Sequence, residues 1–178
     1  MSCRWMIPAV VRLLGLCGAL CLIGCDTGPG TGWSNASPFD TTLRTIAVPV
    51  FANATPERKL SQNLTEAIVK EIESVTPWKV TGQGQADTML RGTVTRFRLI
   101  MMSKDPTTGL ANEMLVEATV DFEWIDLLTG EPILARSGFA ASALFTPSRP
   151  SQQPIELGRF EVVQTLSRDI VDTLQAEW

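Results

Sequence analysis

Residues 112–125 contain the sequence pattern that most restricts the fold of this chain. Apolar and polar side chains alternate there, which predicts a β-strand that is buried on one face only. The apolar set is Met114, Val116, Ala118, Val120, Phe122 and Trp124. A strand of this kind is stable only when a second layer of structure covers its apolar face. We therefore expect helices to pack against one face of a sheet.

Neighbouring segments supply the strands of that sheet. Residues 88–102 form a long β-rich run, and residues 105–109 contain the Pro and Gly of a tight reversal between the two strands. A second reversal at Thr129-Gly130 leads into a strand at about residues 133–144. An earlier β-rich run covers residues 45–51, ahead of the first helix.

Two amphipathic helices are predicted from apolar residues at helical spacing. The first lies before Pro77, with Thr55 as its cap and Pro56 at its first position, and the second begins near Pro154. The apolar residues are Leu60, Leu64, Ala67, Ile68, Ile72 and Val75 in the first, and Phe160, Val163, Leu166, Ile170 and Leu174 in the second. The predicted fold class is α+β, a two-layer sandwich of a mostly antiparallel sheet with two helices packed on one face.

The N-terminal segment has the features of a secretory signal. Arg4 and Arg12 flank a short apolar run at residues 13–23, which is too short to cross a bilayer. The run ends in Leu22-Ile23-Gly24-Cys25, which resembles the lipobox of bacterial lipoproteins. The alternative is a generic signal that happens to end near a cysteine.

The lipobox implies three segments along the chain. Residues 1–24 are predicted to be the signal peptide, and residues 25–42 the lipidated Cys25 with a flexible Gly- and Pro-rich tether. Residues 43–178 are then the folded domain. Acyl chains on Cys25 are expected to anchor the protein stably to a membrane.

Composition argues against catalysis and nucleic-acid binding. The chain has no His and no Tyr, so the commonest general base and metal ligand are missing. Its net charge is −4, whereas phosphate backbones require a basic surface. We found no nucleophile–base pair, no metal-ligand spacing and no phosphate-binding loop. The sequence therefore predicts a protein that is not an enzyme and has no metal or cofactor.

Charge is unevenly distributed over the central hairpin. Between residues 91 and 104 there are four basic residues and no acidic one, while residues 113–131 contain six acidic residues and no basic one. One interpretation is cross-strand ion pairing. With the turn centred near Thr107, Arg91 faces Glu123, as that interpretation requires.

The same register places Arg96 and Arg98 opposite Ala118 and Val116, so that the apolar side of the hairpin changes towards the turn. The other interpretation is therefore a binding site for a ligand with anionic groups and acyl chains. Its candidate residues are Arg96, Arg98 and Lys104, with Phe97 and Leu99 nearby.

Several segments together resemble the lipopolysaccharide-assembly lipoprotein family, LptE. They are residues 45–55, the helix that follows, a Thr-Gly hairpin and the terminal helix. Residues 86–94 look like the family's AD-x-x-L-x-G-x-V stretch, here Ala86, Asp87, Leu90, Gly92 and Val94. The resemblance covers most of the chain after Cys25, in the same order.

The resemblance implies a small α+β lipoprotein at the periplasmic face of the outer membrane. Its partners would be the β-barrel translocon LptD, whose assembly it assists, and lipopolysaccharide on its way to the cell surface. Asp26 after the lipidated Cys25 leaves retention at the inner membrane possible, since enteric bacteria read this residue as such a signal.

A second resemblance stays open. The opening Ile46-Ala47-Val48-Pro49-Val50-Phe51-Ala52-Asn53 also looks like that of periplasmic lipoproteins related to the curli-secretion channel and to penicillin-binding-protein activators. Those proteins bind or regulate envelope proteins.

Overall fold

A computed structural model describes residues 43–176 of the chain. The predictions for residues 1–42, including the signal peptide, Cys25 and the tether, lie outside this range. The elements are β1 Thr45–Ala47, β2 Ala52–Asn53, α1 Leu60–Val75, β3 Lys79–Val80, β4 Thr88–Lys104, β5 Ala111–Asp126, β6 Pro132–Phe145 and α2 Ile155–Ala176. They confirm the predicted fold class, an α+β sandwich.

The six strands form one open sheet in the order β3–β1–β4–β5–β6, with β2 pairing with β4 beyond the end of β1. The short strands pair in parallel, β1 with β3 and β4, and β2 with β4. The pairing is parallel because the chain passes through α1 before it returns to the sheet. The long strands β4, β5 and β6 follow one another through hairpins and are antiparallel. The sheet is therefore mixed, with most of its pairing antiparallel.

The two hairpin turns have the same construction. Each contains Asp-x-x-Thr-Gly, at residues 105–109 and 126–130. In both, the Asp side chain accepts the backbone N–H two residues later, at 2.8 and 2.7 Å. Gly109 and Gly130 have φ of 73° and 74°, which a residue with a Cβ rarely adopts. One local sequence thus makes both reversals in the antiparallel part.

Both helices cover the face of the sheet that carries the alternating residues of β5. Trp124 is 1% exposed, and its ring centroid lies 5.5 Å from that of the buried Trp78. The helices contribute fully buried side chains to this core, namely Leu64, Ile68 and Ile72 from α1 and Leu166, Ile170 and Leu174 from α2. The core is a single layer between the sheet and the helix pair.

The prediction that Phe160 belongs to the buried stripe of α2 is wrong, since its side chain is 58% exposed. The helix approaches the sheet through Gly158, where a Cβ would lie 2.7 Å from a methyl group of Val116 and 3.0 Å from the Phe145 ring. Phe160 follows two residues later, about 200° around the helix, and so faces away from the sheet.

The predicted start of α1 is also wrong, because the helix begins at Leu60 and not at Pro56. The Thr55 hydroxyl donates to the Asn53 side-chain oxygen at 2.8 Å, and the Thr55 N–H donates to the same oxygen at 2.9 Å. Because these bonds form a local turn, the helix starts only after the chain has left it.

Gly92 in β4 lies directly beneath the ring of Phe51, which is 2% exposed. A Cβ at Gly92 would overlap that ring and lie 2.7 Å from the Asp121 carbonyl oxygen. The Phe51 N–H in turn donates to the Thr65 hydroxyl of α1 at 3.0 Å. Because Gly92 has no side chain, the segment before β2 can pack between the sheet and α1.

Asp87 fixes the start of β1. Its Oδ2 accepts the backbone N–H groups of Arg44 and Thr45 at 2.9 and 3.0 Å, and the Thr45 hydroxyl at 2.8 Å. The N–H of Asp87 donates back to that hydroxyl at 2.9 Å. The N–H of Arg44, followed by the hydroxyl and N–H of Thr45, holds the pKa of Asp87 below its usual value of 3.8.

We expect Gly92→Ala to lower the free energy of unfolding by about 1–3 kcal/mol, because the ring of Phe51 and the β5 backbone leave no room for a methyl group. Gly84→Ala is the matched control, since no atom lies within 4 Å of a Cβ there. Urea denaturation of both variants measures the difference. Equal stabilities would contradict this account of Gly92.

Replacing Asp87 with Asn should lower the free energy of unfolding by about 1 kcal/mol at pH 7, since the exposed carboxylate loses charge-assisted hydrogen bonds. A carboxyl group whose pKa is lowered by folding stabilises the folded protein at every pH above its pKa in the unfolded state. This stabilisation is lost as the pH falls through the pKa of the folded state. The difference in unfolding free energy between Asp87→Asn and wild type should therefore be constant above about pH 5 and shrink below pH 3.8.

The control for this experiment is Asp172→Asn, at an exposed position on α2. Urea titrations at pH 7, 5 and 3 compare both variants with wild type. A stability loss for Asp87→Asn that does not change with pH would show that the charge of the carboxylate is unimportant.

Candidate functional site

A β-bulge at Thr95 sets the register of the distal part of the central hairpin. Strands β4 and β5 pair regularly until Val94 lies opposite Val120, and pairing resumes with Arg96 opposite Thr119. Thr95 is the extra residue, and its hydroxyl donates to the Thr119 carbonyl oxygen at 3.2 Å. Strand β4 therefore has one more residue than β5 at this point.

The predicted positions of Arg96 and Arg98 are consequently wrong. They lie opposite Thr119 and Glu117, and not opposite Ala118 and Val116. The physical reason is the bulge, because one extra residue moves every following side chain to the other face. The pairing of Arg91 with Glu123 precedes the bulge and is as predicted.

The predicted change of apolar side along the hairpin is wrong for the same reason. Beyond the bulge, Phe97 pairs with Ala118 and Leu99 with Val116, both on the helix-covered face. The apolar face of β4 thus continues without interruption towards the turn. It becomes exposed only where the helix layer ends, with Leu99 at 43% and Met101 at 53%.

The opposite face of the hairpin, which we call the outer face, carries cross-strand ion pairs. Arg91 Nε lies 2.5 Å from Glu123 Oε1, and Arg98 donates to Glu117 through Nε at 3.0 Å and through an NH2 group. The Arg98 side chain is 50% exposed, so such a pair is worth about 0–1 kcal/mol. The cross-strand interpretation of the hairpin charges therefore holds for Arg91 and Arg98, which both form ion pairs.

Arg96 and Lys104 differ from those two arginines. Both are exposed, and within residues 43–176 neither has an ion-pair partner. Lys104 is followed by Asp105, whose pKa is lowered by the backbone N–H groups of Thr108 and Thr107. The tip of the hairpin thus carries a stable negative charge beside Lys104, which leaves Arg96 as the cation best placed to meet an anion.

The five predicted ligand-binding residues lie on both sides of one strand. Arg96 and Arg98 project from the outer face, whereas Phe97 and Leu99 lie on the helix side, and Lys104 ends the strand. On the side away from β5, no described strand pairs with β4 after Val94. This part of β4 therefore has cationic side chains on one face and apolar side chains on the other, beside a free strand edge that we call the distal β4 edge.

Sequence reasoning missed Arg159, which covers Phe97 from the helix layer. Its guanidinium carbon lies 5.8 Å from the centre of the Phe97 ring, within the range of a cation–π contact. The same group pairs with Glu57 at 3.0 Å and with Glu156 at 3.6 Å. Only the spacing of Glu156 and Arg159 was visible in the sequence, because Glu57 lies about a hundred residues earlier.

The described part of the chain offers little for other kinds of site. An open cleft of 470 Å³ lies over Arg91, Glu123 and Asp121, where Arg91 and Glu123 already pair with each other. Between residues 43 and 176, no three His, Cys, Asp or Glu side chains are grouped to hold a metal ion. No helix in that range is long and apolar enough to span a bilayer.

Solved structures with the same fold are distant in sequence. A protein from Chlamydia trachomatis is 11% identical with a TM-score of 0.53, covering 76% of this chain and 97% of its own. A protein from Xanthomonas campestris is 9% identical with a TM-score of 0.53, covering 76% and 85%. Lipoprotein B from Nitrosomonas europaea is 10% identical with a TM-score of 0.50, covering 76% and 86%. These likenesses concern the fold alone.

No curated protein matches the sequence. The model of one protein family, LptE, described as lipopolysaccharide-assembly, matches residues 43–176. The matched region includes the stretch Ala86–Val94, whose residues have structural roles here. Leu90 and Val94 are fully buried, Gly92 accommodates Phe51, and Asp87 fixes β1. The chain belongs to the LptE family of lipopolysaccharide-assembly proteins.

Proposed function

We propose that this protein is an outer-membrane lipoprotein that assists a β-barrel translocon of the LptD type and the delivery of lipopolysaccharide to the cell surface. The observation that carries the proposal is the family match, which spans every helix and strand of the described domain. A lipid on Cys25 would anchor it at the periplasmic face, with residues 26–42 as the tether.

The proposed role requires no chemistry from the protein. The sequence lacks His and Tyr, so an activated serine would need a buried lysine as its base. The three lysines of the described domain other than Lys104, namely Lys59, Lys70 and Lys79, are all exposed. Their exposure supports a protein that acts by binding alone.

We expect a large β-barrel protein to co-purify with the full chain when membranes are solubilised in mild detergent and the chain is captured by a tag. Fractionation of the same membranes should place the chain in the outer membrane, while the Cys25→Ser variant should leave the membrane fraction or remain an uncleaved precursor. Capture without a barrel protein, or with a peptidoglycan-synthesis or secretion-channel protein instead, would contradict the proposal. Recovery in the inner membrane would contradict the proposed outer-membrane location.

The distal β4 edge is our candidate contact for lipopolysaccharide. An amphiphile lying along it would meet the guanidinium groups of Arg96 and Arg98 on one side and the apolar Phe97 and Leu99 on the other. Arginine suits phosphate because its planar donors bind two oxygens at once. Lys104 adds a point charge at the end of the strand. The mixed character of this edge supports a ligand with both phosphate groups and acyl chains.

Replacing Arg96 with Glu should weaken lipopolysaccharide binding by about tenfold or more, because one charge-assisted contact is lost and a repulsive charge is added. The melting temperature should hardly change, since Arg96 has no ion-pair partner in the described domain. Arg168→Glu changes the net charge equally at an exposed position on α2 and serves as the control. Binding is measured on the purified full chain with labelled lipopolysaccharide.

The same experiment with Arg98→Glu separates the two interpretations of the hairpin charges. This variant loses the Glu117 ion pair, so a small drop in melting temperature is expected along with weaker binding. Unchanged affinity per folded molecule in both variants would leave ion pairing as the only role of Arg98 and would exclude Arg96 from the binding site.

A further inference from the structure

The free edges of the sheet in the described part of the chain differ in how well they are protected. An unprotected edge invites pairing with another strand, which natural proteins prevent by short strands, charges or bulges. The outer edge of β3 is two residues long. The distal β4 edge carries Arg96, Arg98 and Lys104 and is interrupted by bulges at Thr95 and near Met102.

The outer edge of β6 lacks these protections over residues 139–145. The segment Phe139-Ala140-Ala141-Ser142-Ala143-Leu144-Phe145 contains no charge, no Pro and no Gly. It pairs with β5 without a break, from Phe139 opposite Val120 to Phe145 opposite Met114. No described strand pairs with its other side. It therefore presents a straight row of backbone N–H and C=O groups.

The side chains of this segment are complementary to those of a second copy. In an antiparallel pair centred on Ser142, each Phe139 lies opposite Phe145 of the other copy, and Ala140 lies opposite Leu144. Leu144 is 64% exposed in the outer face, and the small Ala140 leaves room for it. The segment contains no charged side chain, so the pairing brings no like charges together. The two-fold axis at Ser142 means that each contact occurs twice in the dimer.

We propose that residues 139–145 of two copies pair as antiparallel strands about Ser142, which joins their sheets into one. The helices of both copies then lie on the same face of the joined sheet, because the two-fold axis is perpendicular to it. The proposal rests on the free edge of β6 and does not depend on the proposed function.

Cysteine cross-linking of the full chain tests the register. At the axis, the two Ser142 Cα atoms would be about 4.5–5.5 Å apart, within the range of a disulfide. The Ser142→Cys variant should therefore form a cross-linked dimer under mild oxidation. Ala140→Cys alone should not, since the two copies of that residue would be about 13 Å apart. A mixture of Ala140→Cys and Leu144→Cys chains should cross-link, and the unsubstituted chain measures the background.

Sedimentation of the full chain in detergent tests the affinity. Ser142→Lys places two like charges against each other, and it should raise the dimer dissociation constant by about tenfold or more. Ala135→Lys, at an exposed position of β6 outside the segment, should leave the constant unchanged.

Three results would overturn the proposal. They are a wild-type chain that stays monomeric at every concentration, equal cross-linking at positions 140 and 142, and a dimer that is unaffected by Ser142→Lys. A monomer whose Ser142→Lys variant loses a co-purifying barrel protein would assign the edge to a strand of that partner and not to a second copy.

Discussion

Burial of one face of β5 is the constraint on which the rest of the structure depends. This strand pairs with β4 on one side and with β6 on the other, so its alternation determines which side chains of both neighbours face the helices. Each neighbour contains a bulge near Val120. Thr95 is the extra residue in β4, and Ser137 and Gly138 together face Asp121 from β6.

The β6 bulge is held by a specific contact. The N–H of Gly138, which has a φ of 69°, donates to the Asp121 side chain at 2.7 Å. The extra residue returns Phe139 to the helix side, where its ring meets that of Phe122 edge-on at 5.4 Å. The two bulges thus keep Phe97 and Phe139 on the helix-covered face.

The elements themselves could be predicted from the sequence, because each depends on a local pattern. The period of two in β5, the Asp-x-x-Thr-Gly turns and the helical spacing of Leu64, Ile68 and Ile72 all lie within a few residues of each other. The register beyond Val94 could not be predicted, since nothing in the sequence distinguishes Thr95 from an ordinary strand residue. One missed bulge was enough to place Arg96 and Arg98 opposite the wrong partners.

The candidate site depended on that register and on contacts between distant segments. The positions of Arg96, Phe97 and Leu99 in one strand were correct, but their distribution over two faces follows from the bulge. Arg159 reaches Phe97 only because α2 packs across the sheet, and Glu57 holds it from the loop before α1. Such contacts are set by tertiary packing, which local patterns do not encode.

The hydrogen bonds of Asp87 have a mechanical consequence. Any pull transmitted along residues 25–42 reaches the domain at Leu43, immediately before the two backbone N–H groups that Asp87 holds. Strand β1 lies between β3 and β4 and pairs in parallel with both, so a pull along the axis of β1 loads its ladder bonds together. The domain would therefore resist being dragged by its N-terminal end through shear of an interior strand, and not by the one-by-one peeling of an edge.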